Sequence, residues 1–146
     1  MTDFRLKDAR SDAEFCVEEI IGPLEYEPWT YVVSYRSQFL TATSRIEDYN
    51  PQCWTQLFRD MARHWQGWSG VKECSADGAL HLRIGASSDG LGHVELKISF
   101  GGPEHQSAWR AEVTLHLEAG QLGAIAVAAA QAFGTKHSWG GPSIDA

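Results

Sequence analysis

Val94-Glu95-Leu96-Lys97-Ile98-Ser99-Phe100 and Trp109-Arg110-Ala111-Glu112-Val113-Thr114-Leu115-His116-Leu117-Glu118 alternate apolar and polar side chains without a break. A period of two sends successive side chains to opposite faces, so each stretch predicts a strand with one covered and one wet face. Leu80, Leu82 and Ile84, separated by His81 and Arg83, predict a third strand ahead of them. Ser87-Ser88-Asp89-Gly90 and Gly101-Gly102-Pro103 supply the turns. The three strands read as an antiparallel meander.

Outward charges suggest a register. Pairing Glu95 with Glu112 sets like charges opposite each other, whereas a slip of two residues pairs Lys97 with Glu112 and His93 with His116. A three-residue loop in the first hairpin would set Arg83 beside His93 and His81 beside Glu95. The expectation is a single wet face carrying His81, Arg83, His93, Glu95, Glu112 and His116.

Upstream of the meander lies an amphipathic helix. Asn50 suits an N-cap and Pro51 suits the first helical position. Trp54, Leu57, Phe58, Met61, Ala62 and Trp65 follow at helical spacing, and Gly67 ends the run before Trp68-Ser69-Gly70. Further upstream, Phe4–Lys7 and Glu14–Glu18 read as short strands, and Trp29–Tyr35 with Phe39–Thr43 as a hairpin. Downstream, residues 120–133 predict a helix whose stripe is Leu122, Ile125, Ala126, Ala129 and Phe133. Its other face, Ala124, Val127 and Ala128, is smooth and uncharged, to be covered within the monomer or by a second copy in a homodimer.

The expected fold class is α+β, with one antiparallel sheet of six or seven strands and two α-helices packed on one face. Residues 1–134 read as a single domain and 135–146 as an irregular tail. A chain of 146 residues buries roughly 70% of its unfolded surface and needs no staple.

Twelve Lys and Arg stand against 19 Asp and Glu, a net charge of −7. Phosphate backbones require clustered cations, so no nucleic-acid partner is expected. No apolar run approaches the roughly 20 residues of a membrane span, and the N-terminus has no signal-peptide character, so the expected location is cytoplasmic. Cys16, Cys53 and Cys74 are widely spaced, with no C-x-x-C. Cys53 and Cys74 could act as nucleophiles, but no paired histidine can be named from sequence.

Imidazoles with a carboxylate are what zinc takes, yet His81, His93 and His116 share no spacing signature, and Arg83 and Lys97 would oppose a cation. The plain reading is a solvated sheet face. Gly67-Trp68-Ser69-Gly70 lacks the strand and the extra residue of a nucleophile elbow. No catalytic set, metal or cofactor is expected. Trp29 and Trp68 lie at element edges, where a half-exposed indole can anchor a protein interface.

Trp54-x-x-Leu57, Trp65-x-Gly67-Trp68-x-Gly70, Leu80-x-Leu82, Gly92-His93-Val94-x-Leu96, Trp109 and Leu117-Glu118-Ala119-Gly120-Gln121-Leu122 resemble a family of short, uncharacterised bacterial proteins. The resemblance runs over residues 14–134 and implies no activity. Element order and size also resemble the immunity proteins of contact-dependent toxin systems, including those paired with wall-associated toxins. That likeness implies a non-enzymatic protein-binding domain that neutralises a basic toxin. The alternative is a small-ligand or metal-binding domain using the His-bearing face.

Overall fold

A computed structural model of the chain describes residues 3–23, 25–78, 81–102 and 109–134. The fold is α+β, with antiparallel sheets and two α-helices. Strands β1 (Phe4–Lys7), β2 (Glu14–Ile21), β3 (Trp29–Arg36) and β4 (Thr41–Asp48) form one meander. Helix α1 (Gln52–Arg63) leads to a second meander of β5 (Lys72–Ser75), β6 (Leu82–Ser88), β7 (His93–Gly101) and β8 (Arg110–Glu118). A 3-10 turn (Ala119–Gln121) then opens α2 (Leu122–Phe133).

Two four-stranded sheets therefore replace the single sheet of six or seven strands expected from the sequence. The reason lies at the crossing from β4 to β5. Asp48 ends β4, and the chain leaves through α1 before returning as β5, which pairs with β6 rather than with β4. β5 is only four residues long with one inward apolar side chain, Cys74, too brief to show alternation.

The sheets are joined at their edges by isolated contacts. At one edge, the Ala9 N–H donates to the His116 carbonyl at 2.8 Å. At the other, the Tyr49 N–H donates to the Asp77 carbonyl at 2.8 Å, and Ser44 Oγ donates to the Gly101 carbonyl at 2.6 Å. Gly78 passes so close to β4 that a Cβ there would run into the Glu47 carbonyl.

One hydrophobic core serves both sheets and both helices. Trp54, fully buried on α1, is its wedge. Its indole stacks on Phe133 of α2 at 5.3 Å and meets Phe4 of β1 edge-on at 5.8 Å. Phe15 of β2 lies between Trp54 and Phe100 of β7, carrying the packing from one sheet to the other. Edge and offset ring pairs add to area burial, which is how a chain rich in aromatics fills one interior.

The helix stripe ends sooner than its periodicity implies. α1 stops at Arg63, and the His64 cap leaves the helical region, so Trp65 falls outside the last turn and is 57% exposed. Trp68 packs in its stead: its Nε1–H donates to the Ala86 carbonyl at 3.1 Å and Lys72 Nζ sits 5.3 Å above the ring. At the start of α1 no side chain caps the helix. The α2 face of Ala124 and Val127 is exposed among the described residues. The tail at 135–146, and Leu80, lie outside the described residues.

Candidate functional site

The register of the second sheet differs from the expected one. His93 stands opposite Glu118, Glu95 opposite His116, and Ser99 opposite Glu112. This is a further slip of two residues beyond the pairing of Lys97 with Glu112. It sets an acid across from each of the two imidazoles, so it satisfies more cross-strand charges than either register weighed from sequence.

The first hairpin differs more. β6 runs on through Ser88, and Asp89–Gly92 make the turn, so Ser88 meets Val94 and Arg83 meets Ser99. Asp89 builds that turn. Its Oδ1 accepts from the Leu91 N–H at 2.7 Å and the His93 N–H at 3.2 Å, while Oδ2 bonds His93 Nδ1 at 2.7 Å. Gly90 and Gly92 carry φ of 75° and 91°, the left-handed region that glycine adopts without strain. Hydrogen bonds to the charged form, that of the Leu91 N–H foremost, hold the Asp89 carboxyl below its ordinary range.

This register divides the expected His-bearing face. His93, Glu95 and His116 come together at one end. His81, Arg83 and Glu112 lie toward the other, with Arg83 and Glu112 about 14–20 Å away along β7 at strand rise. There His81 Nε2 bonds Ser99 Oγ at 2.6 Å, and Arg83 and Glu112 flank the same serine from β6 and β8. Trp68 is half-buried beside the hairpin, where Gly67 packs against Gly90 and Ser88. Trp29 is half-buried against Gly22, and its Nε1–H has no partner among the described residues.

The His93 end forms an open cleft of about 190 Å³ lined by Arg10, Ser87, Ser88, Asp89, His93, Val94, Glu95 and His116. Behind it stands Asp8, whose side chain is only 6% exposed. Asp8 Oδ1 accepts from the His116 backbone N–H at 2.6 Å and bonds His116 Nδ1 at 3.0 Å, while Oδ2 accepts from Ser11 Oγ at 2.6 Å. Burial pushes the Asp8 carboxyl up, but these hydrogen bonds and the imidazole outweigh it and hold the group below its ordinary value. Asp8 thus engages Nδ1 of the His116 ring, and His116 is one of the residues lining the cleft.

Sequence reasoning reached His93, Glu95 and His116 but missed Asp8 and Arg10, and it read Asp89 only as a turn residue. Asp8 and His116 are 108 positions apart, and no local pattern links them. Asp89 did carry a signal: an Asp four residues before a His, across a Gly-x-Gly turn.

Asp8 and His116 have the arrangement of the orienting half of a catalytic triad. Ser87, Glu95 and His116 form one row across β6, β7 and β8. Ser87 is thus two strand spacings from the imidazole, about 10 Å, beyond the reach a nucleophile needs. Among the described residues, no three His, Cys, Asp or Glu side chains converge to hold a metal ion. Nor is any helix among them long and apolar enough to cross a membrane.

Residues 22–136 match the family of unknown function DUF6228. The chain belongs to that family. The match takes in α1, both cleft histidines and α2, and it begins after β2. Asp8 and Arg10 therefore lie outside the stretch that defines the family. No curated protein matches the chain.

Proposed function

We propose that this member of DUF6228 is a non-enzymatic protein-binding domain that receives a basic side chain of its partner in the His93–His116 cleft. The size and charge of that cleft carry the reading. Pockets for small ligands run from about 300 to 1,000 Å³, and about 190 Å³ in an open cleft suits one inserted side chain. Asp89 and Glu95 line it and Asp8 and Glu118 stand beside it, against the guanidinium of Arg10 and the Lys97 ammonium 3.9 Å from Glu95. Leu91, 79% exposed at the tip of the turn, adds an apolar anchor beside the acidic rim. A net charge of −7 would speed encounter with a basic protein. A toxin of the kind neutralised by immunity proteins is the partner class that the resemblance in element order implies.

The alternative, a small ligand or metal on the same imidazoles, draws on the carboxylate–Nδ1 bonds, which orient histidine in many metal sites. A titration of labelled protein followed by amide chemical shifts separates the two. Capped peptides bearing one Arg or Lys should shift Leu91, His93, Glu95 and His116, with Glu-bearing peptides inert. Glu95→Gln should weaken the basic peptides about five- to tenfold. Shifts at these amides with zinc chloride or inorganic phosphate alone would favour the alternative, and basic-peptide shifts confined to other surfaces would defeat the protein-binding reading.

A further inference from the structure

The register of the second sheet lays out its outer face in rows that run across the strands. Glu73, Gly85, Lys97 and Thr114 form the middle row. About 7 Å along the strands to one side stand Arg83, Ser99 and Glu112, and as far to the other stand Ser87, Glu95 and His116. The next row on the first side pairs Gly101 with Arg110, and His81 joins it where its carbonyl accepts from the Gly101 N–H at 3.2 Å. The matching row on the cleft side pairs His93 with Glu118, and Asp89 joins it through its bond to His93.

Charges on either side of the middle row answer one another. Arg83 on β6 faces, across that row, the acids Asp89 and Glu95. On β8, Glu112 and Arg110 answer His116 and Glu118. Two such faces, laid together with a twofold axis along Gly85, Lys97 and Thr114, exchange ends but keep their strands in line. Arg83 of one copy then lies over Ser87 of the other, beside Asp89 and Glu95. Glu112 lies over His116, Arg110 over Glu118, and His81 toward Asp89.

We propose that a second copy of this chain occupies the cleft, inserting Arg83 in a twofold dimer formed through the outer face of the second sheet. The inference rests on the reading of the cleft as a receptor for a basic side chain. Arg83 is exposed and has no ion pair among the described residues. A self-complementary contact of this kind makes every pairing twice. Gly85 has no side chain, and Val71, 60% exposed, leans over it to give an apolar contact near the axis. Lys97 meets its twin there, but each ammonium lies 3.9 Å from Glu95 of its own chain. A net charge of −7 on each copy opposes association at long range, so the order of charges on this face must hold the pair. A basic partner protein then has to displace Arg83, and dimer and partner compete for one cleft.

The test is sedimentation equilibrium of the full chain over roughly 1 µM to 1 mM, with two charge reversals. The wild type should dimerise. Arg83→Glu and Glu95→Arg should each weaken the dimer about tenfold or more, because each sets like charges together twice. An equimolar mixture of the two variants should restore a heterodimer, since each introduced charge then meets its opposite and one native Arg83–Glu95 pairing is kept. A wild type that stays monomeric would overturn the proposal. So would a dimer indifferent to both reversals, one broken instead by Val127→Glu on α2, or a mixture no tighter than its parts.

Capped Arg peptides, added to the wild-type dimer, should shift it toward monomer. Peptide shifts at His93 and Glu95 in a chain that never dimerises would defeat the second copy and leave the cleft reading standing. Their absence from the dilute, monomeric chain would defeat the reading on which both rest.

Discussion

Two aspartates, Asp48 fully buried and Asp8 part-buried, hold this fold together at opposite edges of its sheets, and they differ in what they hold. Asp48 is fully buried and accepts from the Tyr31 hydroxyl at 2.7 Å and from the Asn50 and Asp77 N–H groups. Tyr31 in turn accepts from the Trp54 indole at 3.1 Å, so the carboxylate is wired into the aromatic core. Burial, with the Asp48 charge beside it, pushes the Tyr31 phenol well above its ordinary range. Asp8 also accepts three bonds, but one comes from an imidazole that lines an open cleft. The first site is closed to solvent. The second uses the same chemistry to fix an imidazole at the wall of an open cleft.

The contrast predicts different costs. Asp48→Ala should be the most damaging, because three donors lose their acceptor inside the protein; about 3–5 kcal/mol of unfolding free energy should go in urea titrations. A loss under about 1 kcal/mol would mean that Asp48 does not clamp the crossing from β4 to α1 and β5.

Asp8→Asn should cost less, about 1–2 kcal/mol at neutral pH, since the amide oxygen can still accept from one donor. Its signature is the pH dependence. The folded carboxyl is held below its ordinary value, so its contribution is full above the unfolded pKa of about 4. That contribution disappears as pH falls through the lower folded value. The wild type should lose stability faster than Asp8→Asn on acidification from pH 5 to 2.5. Parallel acid limbs would remove the distinction between the two aspartates.

The same contrast explains what the sequence could reveal. Period-two runs gave β1, β2, β3, β7 and β8, and the helical stripes gave α1 and α2, because their inward positions are large and apolar. β4 was cut short because its inward side chains include Ser44 and Asp48, polar groups satisfied only by distant partners. The β6–β7 register departs from a three-residue loop because Asp89 builds a four-residue turn through backbone bonds. The candidate site was half legible: alternation put His93, Glu95 and His116 on the outer face, while Asp8 reaches it only once β1 and β8 meet.

Asp8 fixes the His116 ring by its bond to Nδ1, which leaves the neutral ring protonated there. Long-range nitrogen–proton correlation spectra of the His116 ring, recorded with the imidazole neutral, test it most directly. The wild type should carry a proton on Nδ1 and none on Nε2, with that preference lost in Asp8→Asn. A proton on Nε2 in the wild type, or a ring unchanged by the substitution, would contradict it.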